Sequence, residues 1–208
     1  MEAFGEAHDV DWQLRPVVYG ALLSATGLVG PVEVGSKRRY TFRDITRTAK
    51  TLGVPLVGPP EHPFRSLEAL RAVCVFAEDP LAVRLVVALA HACWGEGRDL
   101  TDRSVIGEVV AGVGLDETGL GDRIADPEAK RRLREHTEGA LSAGVFGVPT
   151  FRYDGELFWG NDRMGQLAAW LGGTLDGNEA GAEAMELRPR GADRGGLPMR
   201  RDRSQGPT

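Results

Sequence analysis

The stretch GVFGVPTFRYDGELFWGNDRMGQLAAWLGG, from Gly144 to Gly173, constrains the fold more than any other part of the chain. Pro149 has no backbone N–H to give a ladder, so it is expected at the start of a strand, Thr150 to Tyr153. Asp154-Gly155 is a preferred two-residue hairpin turn, and Glu156 to Trp159 then returns antiparallel. Gly160-Asn161-Asp162 signals a helix start with Asn161 as the cap, and Met164, Leu167, Ala168 and Leu171 give that helix an apolar face. With a helix expected just before Gly144, the order is helix, strand, hairpin, strand, helix. An α/β fold follows.

Upstream, short strand-like segments give way to long helical ones. Val10 to Val18 alternates apolar Val10, Trp12 and Leu14 with polar neighbours, the period of a half-buried strand limited by Pro16. Tyr40 to Leu52 carries Phe42, Ile45, Ala49 and Leu52 at helical spacing. Val54 to Phe64 contains Pro55, Pro59, Pro60 and Pro63 and reads as an extended connector. Ser66 to Ala77 is predicted helical, and Asp79-Pro80 supplies a cap and first-turn proline for Leu81 to Trp94. That last run is apolar nearly all round, as a central buried helix would be. Thr101-Asp102 opens a further helix through Val113, and Asp126-Pro127 opens Glu128 to Ala143. The composition changes after Leu171: Gly172 to Thr208 holds eight glycines, three prolines and no aromatic residue. Such a segment buries too little apolar surface to offset its ordering entropy, so a disordered, mixed-charge tail is expected over 172–208.

Charge and motifs narrow the function. The 208 residues carry 25 basic and 30 acidic side chains, a net charge of −5, without the basic excess that phosphate-backbone binding needs. No nucleic-acid partner is expected. No window reaches 18 consecutive apolar residues and the start, MEAFGEAHDVDW, lacks a signal-peptide pattern, so no membrane is expected and the protein reads as cytoplasmic. Cys74 and Cys93 form no CxxC, and His8, His62, His91 and His136 show no zinc spacing. Buried structural thiols and no metal site are the expectation. The GxSxG, GxxxxGK[ST] and GxGxxG signatures of hydrolases and nucleotide binders are also missing.

The run GVFGVPTF followed by DGELFWGNDR resembles the 2-hydroxychromene-2-carboxylate isomerases and the related kappa-class glutathione transferases, within the wider DsbA-like group. Leu14-Arg15-Pro16 ahead of Gly20, Lys37-Arg38-Arg39-Tyr40 ahead of a helix, and DPEAKRRLREHTEGALSA from Asp126 to Ala143 agree with it. The resemblance spans Val10 to about Leu171. It implies a thioredoxin-like (DsbA-like) core with a large helical insertion: residues 1–35 and 144–171 for the core, 36–143 for the insertion, and 172–208 as the tail.

The resemblance also implies glutathione as cofactor and places its contacts. A proline at the position of Pro149 is cis in proteins of this fold, leaving the amide and carbonyl of Val148 to clamp the cysteinyl backbone of glutathione like an added strand. At Asn161 and Asp162, free amides at a helix start suit the γ-glutamyl carboxylate, and the Asp162 carboxylate suits the γ-glutamyl ammonium. Simple helix capping explains the same pair. Lys37 aligns, within one residue, with a lysine that reaches a glutathione carboxylate, although it also fits a solvated loop. Leu28 stands where the kappa-class pattern has an asparagine. Tyr19, Phe64 and Trp159 suit an aromatic pocket and core packing equally.

No catalytic residue is assigned within this chain. The family begins with a strand ending in Asp-x-x-Ser-Pro-Tyr, whose serine stabilises the glutathione thiolate, and the present sequence is expected to be N-terminally truncated relative to that pattern. A misassigned start codon and a true remnant both account for it. The resemblance therefore implies a glutathione-dependent isomerase of aromatic catabolism, acting on a small aromatic carboxylate as a homodimer and inactive as written. A DsbA-like thiol–disulfide oxidoreductase and a noncatalytic remnant are the alternatives. The oxidoreductase would need a low-pKa cysteine at the first helix, which neither Cys74 nor Cys93 provides by position.

Overall fold

The structure, a computed structural model, describes residues 2–177 and 179–188. It divides into two compact units, Met1–Val148 and Pro149–Thr208.

The first unit is helical. Its elements are α1 (Glu2–His8), α2 (Tyr19–Thr26), α3 (Gly35–Leu52), α4 (Leu67–Val75), α5 (Ala82–Ala90), α6 (Arg103–Val113), α7 (Leu120–Ala125) and α8 (Pro127–Ser142). Two caps follow the sequence signals, whereas α5 is capped by Leu81 with no side-chain bond and not by Asp79. Asp102 accepts from the Ser104 amide at the start of α6, and Asp126 accepts from the Glu128 amide with Pro127 in the first turn of α8. Gly27, Gly53 and Gly114 close α2, α3 and α6 in the left-handed conformation that glycine adopts without steric cost. The core lies where α4, α5, α6 and α7 meet. Leu85, Ile106, Val110 and Ile124 are fully buried there, with Ala72, Phe76 and Leu89 around them. Burial of each large aliphatic side chain contributes about 1.5–3 kcal/mol. Leu22 of α2 is likewise buried, and Thr137 of α8 ties the two segments by accepting from the Val18 amide at 3.1 Å.

Three expectations need correction in this unit. Val10 to Val18 forms no strand: among the described residues nothing pairs with it, and a strand exists only through its ladder. Its apolar alternation serves instead to lay Leu14 against the helical core while Asp11, Gln13 and Arg15 stay exposed. The helix expected over Leu81 to Trp94 breaks after Ala90 into a π turn, His91–Gly95, whose widened loop lets Glu96 donate back to His91. The same run is not buried all round, since Val87 is 54% exposed. The proline-rich connector is extended as expected and is strapped to the π turn by Val57 and Gly58 amides donating to the Trp94 carbonyl at 2.7 and 2.9 Å.

The second unit holds β1 (Thr150–Tyr153), β2 (Glu156–Trp159), α9 (Met164–Leu171) and α10 (Glu179–Glu186). The strands pair antiparallel, Tyr153 opposite Glu156 and Phe151 opposite Phe158. Asp154 and Gly155 both take positive φ, as the tight hairpin turn demands. Phe158 and Leu167 are buried, and Phe158 meets Trp170 edge to face at 5.9 Å, so the hairpin and α9 share one small core. Within the segment expected to be an unstructured tail, Glu179–Glu186 is helical; EAGAEAME is rich in alanine and glutamate, both strong helix formers. The remainder of that expectation, residues 189–208, lies outside the described residues. No helix among the described residues is long and apolar enough to cross a membrane.

Candidate functional site

The hairpin mouth is built by backbone constraints that the sequence imposes. Beyond the last strand pair, the Gly160 amide donates to the Pro149 carbonyl at 2.9 Å, which holds the entry to β1 beside the exit from β2. Gly160 then turns with φ 104° and ψ 149°, a region open in practice to glycine alone. An added Cβ would also sit 2.4 Å from Asp162 Oδ1. The chain enters a 3-10 turn, Asn161–Arg163, before α9. Pro149, Asn161 and Asp162 are thus gathered at one end of the hairpin.

The expected cap is corrected here. Gly160, not Asn161, occupies the capping position, and Asn161 is the first residue of the turn, with no side-chain cap bond. The physical reason is the left-handed glycine, which lets the chain reverse without a side-chain oxygen. Its consequence is useful: the amides of Asn161 and Asp162 carry no hydrogen bond among the described residues, whereas Arg163 and Met164 donate to Gly160 and Asn161. Both side chains at 161 and 162 are exposed. Asp162 Oδ2 accepts from Arg163 Nη1 at 2.6 Å, which leaves Oδ1 without a hydrogen bond among the described residues. An adjacent Asp-Arg pair was visible in the sequence and is the one partner of the site that motif reading passed over.

The cis expectation at Pro149 is also corrected. Among the described residues the cis X-Pro bond is His62–Pro63, and Val148–Pro149 is trans. Trans is the isomer an X-Pro bond favours, by about 0.5–1 kcal/mol. Val148 lies in the bend that precedes β1. Its side chain is 45% exposed, and its amide and carbonyl make no hydrogen bond among the described residues.

Lys37 belongs to the first unit, exposed in the opening turn of α3 beside a shallow cavity of about 390 Å³ formed with Pro31, Ser36, Tyr40 and Thr41. It makes no ion pair among the described residues. Of the aromatic candidates, Phe64 packs against the helical core, whereas Tyr19 and Trp159 are partly exposed.

Neither cysteine offers a thiolate. Both are buried and free, and burial pushes the Cys74 thiol up to about 11, with the Arg132 and Arg71 charges opposing it only partly. Burial, followed by the nearby Asp99 charge, also raises Cys93. His136 Nδ1 stands 4.0 Å from Cys74 Sγ, and burial lowers its pKa, helped by Arg15 and Arg132. A neutral thiol beside a neutral imidazole is a packing pair, not an activated nucleophile. Thiol–disulfide exchange finds no reactive group in these two residues.

Comparison with known proteins decides the family. Residues 2–172 match the model of the DSBA-like thioredoxin domain. The chain belongs to this family. Among relatives, it is 30% identical over 161 residues to 2-hydroxychromene-2-carboxylate isomerase of Sphingobium xenophagum, covering 76% of this chain and 82% of that protein. It is 29% identical over 178 residues to glutathione S-transferase kappa 1 of Homo sapiens, covering 79% of each. A solved structure of 2-hydroxychromene-2-carboxylate isomerase superposes with a TM-score of 0.72 at 25% identity, over 90% of both chains. The DsbA-like thioredoxin fold therefore stands, mixed helical with a small sheet, and the relatives with which it groups are named as isomerases and transferases.

Proposed function

We propose that the protein is a glutathione-using isomerase of the 2-hydroxychromene-2-carboxylate type, with a small aromatic carboxylate as substrate. The observation that carries this reading is the open amide pair of Asn161 and Asp162, held in place by the Gly160 to Pro149 hydrogen bond. Two adjacent amides aimed outward are a seat for a carboxylate. The Asp162 Oδ1 left free by Arg163 can accept from an ammonium group beside it. Glutathione carries both groups on its γ-glutamyl end, so the donor set fits that end of the molecule.

The remaining assignments follow residue by residue. Val148, in the bend just before β1, offers an amide and a carbonyl, the pair that a peptide backbone bonds when it adds as a strand. Pro149 fixes the start of β1 and donates nothing, which keeps the bonding edge to Val148. Lys37 supplies an ammonium for a second carboxylate. When bound, glutathione supplies a thiol able to add reversibly to an electron-poor double bond; the chain's own residues bind and orient the peptide that bears it. The isomerase names of the relatives support the reaction type.

The test is calorimetric titration of the purified chain with glutathione, alongside an absorbance assay of 2-hydroxychromene-2-carboxylate isomerisation. Binding is expected, and Asp162→Ala and Val148→Pro are each expected to weaken it about tenfold, the loss of one charge-assisted or two backbone hydrogen bonds. Absence of glutathione binding by the folded chain, or binding indifferent to both changes, refutes the reading.

A further inference from the structure

The first unit contains a cluster of guanidinium groups that the proposed reaction does not use. Arg65, Arg71 and Arg103 line one cavity of about 550 Å³, within the size range of small-molecule sites. Each guanidinium has five N–H donors and no acceptor. Glu68 engages only Nη1 of Arg71 at 3.4 Å and Nε of Arg103 at 2.8 Å. Arg71 Nε is buried and has no hydrogen-bond partner among the described residues. Arg65 makes no hydrogen bond or ion pair among them, and it is exposed at the cavity rim. The second carboxylate at the wall, Asp102, accepts from the amide and hydroxyl of Ser104 through Oδ1 alone, at 2.8 and 2.7 Å. Three guanidinium groups and two carboxylates therefore line the cavity, and Glu68 pairs with Arg71 and Arg103 while Arg65 pairs with neither carboxylate among the described residues.

The backbone adds to the same field. α4 and α6 both begin at this cavity, so the positive ends of two helices point toward it, and Ser66 makes no side-chain cap bond at the first of them. Leu67 supplies an apolar contact between the charged groups.

We propose that this cavity binds a small organic oxyanion, a carboxylate or phosphate group on a compact apolar body. Arg65 and Arg71 take the oxyanion with their unused donors, Arg103 contributes its free fork, and Leu67 packs against the apolar part. An oxyanion forms forked contacts that suit guanidinium geometry. The site uses none of the residues assigned to glutathione, so its test stands or fails separately from that reading.

The experiment is calorimetric titration of the full chain, in a zwitterionic buffer at low ionic strength, with sodium benzoate and with inorganic phosphate, and with benzyl alcohol as the neutral control. Binding of at least one anion is expected, weakening as salt is added. Arg65→Gln is expected to weaken it about tenfold and Glu68→Gln to tighten it several-fold, because the first removes a positive charge from the site and the second the competing negative charge. Arg65 holds no hydrogen bond among the described residues, so its variant separates loss of ligand from loss of structure, with circular dichroism confirming the helices. A preference for benzoate identifies a carboxylate ligand and a preference for phosphate a phosphoryl one. Either supports the site. No binding of either anion at concentrations on the order of 10 mM, or binding that ignores both substitutions or equals that of benzyl alcohol, overturns the proposal.

Discussion

Replacing Gly160 by alanine tests whether the hairpin mouth is built by backbone constraint. The native φ of 104° with ψ of 149° costs an L-residue about 1–3 kcal/mol. The new methyl would lie 2.4 Å from Asp162 Oδ1, so the carboxylate must swing away and give up its hydrogen bond to Arg163. That pair is exposed, 45% and 67% on its two side chains, and its loss adds at most about 1 kcal/mol. The total is about 1–4 kcal/mol, most of it backbone strain. Two controls separate the contributions. Gly155→Ala meets nothing within 4 Å at φ 89°, so it carries strain alone, about 1 kcal/mol. Gly165→Ala, in the first turn of α9 with open space around it, removes glycine's entropic penalty and stabilises by about 0.5–1 kcal/mol. Urea unfolding followed by circular dichroism and tryptophan fluorescence should rank the midpoints Gly165→Ala, wild type, Gly155→Ala, Gly160→Ala, from high to low. Glutathione titration should show weakened binding for Gly160→Ala alone, because only there does the Asp162 carboxylate move. A Gly160→Ala protein as stable as Gly155→Ala, or one that binds glutathione as wild type does, would contradict the reasoning.

Leu85→Ala empties a fully buried position in α5 and should cost about 2–5 kcal/mol, read as a lower urea midpoint with unchanged slope. Asp102→Ala removes the cap oxygen that holds the Ser104 amide at 2.8 Å and should cost about 1 kcal/mol in thermal unfolding, with Asp102→Asn recovering most of it. The Cys74 thiol has a folded pKa of about 11 against an ordinary value of 9.0, so the native state retains the proton that the unfolded chain releases. Its stability contribution is complete below pH 9 and is lost as the pH climbs toward 11. Unfolding midpoints measured across that range should fall in the wild type and fall less in Cys74→Ala. A thiol reagent at pH 8 should leave Cys74 unreacted until urea is added.

How far the fold was legible depended on whether its determinants were local. Asp102, Asp126, Pro127 and the Asp154-Gly155 turn act over two to four residues, and the helices and hairpin they announce are where the sequence reading put them. Val10 to Val18 was misread because alternation reports burial of every second side chain, not pairing. A loop laid along a helical bundle with Leu14 inward produces the same pattern as a strand. The break after Ala90 was invisible for the opposite reason. The apolar run continues through His91–Gly95, and it is the Trp94 carbonyl, engaged by Val57 and Gly58 nearly forty residues earlier, that accompanies the change of backbone. At the candidate site, Asn161 and Asp162 were found through an ordered motif, yet their chemistry rests on Gly160. A side-chain cap would have satisfied an amide that the glycine leaves open. The arginine cavity lay beyond sequence reasoning altogether. Arg65, Arg71 and Arg103 are dispersed among other charged residues and look like solvated surface one at a time; only the packing of α4 and α6 brings their guanidinium groups to one cavity. Glu68 is the residue that makes this consequential. Standing one turn before Arg71 in α4, it reads as an ordinary intrahelical ion pair worth a few tenths of a kcal/mol, whereas in the fold it is shared between Arg71 of α4 and Arg103 of α6, and Arg65 makes no ion pair among the described residues.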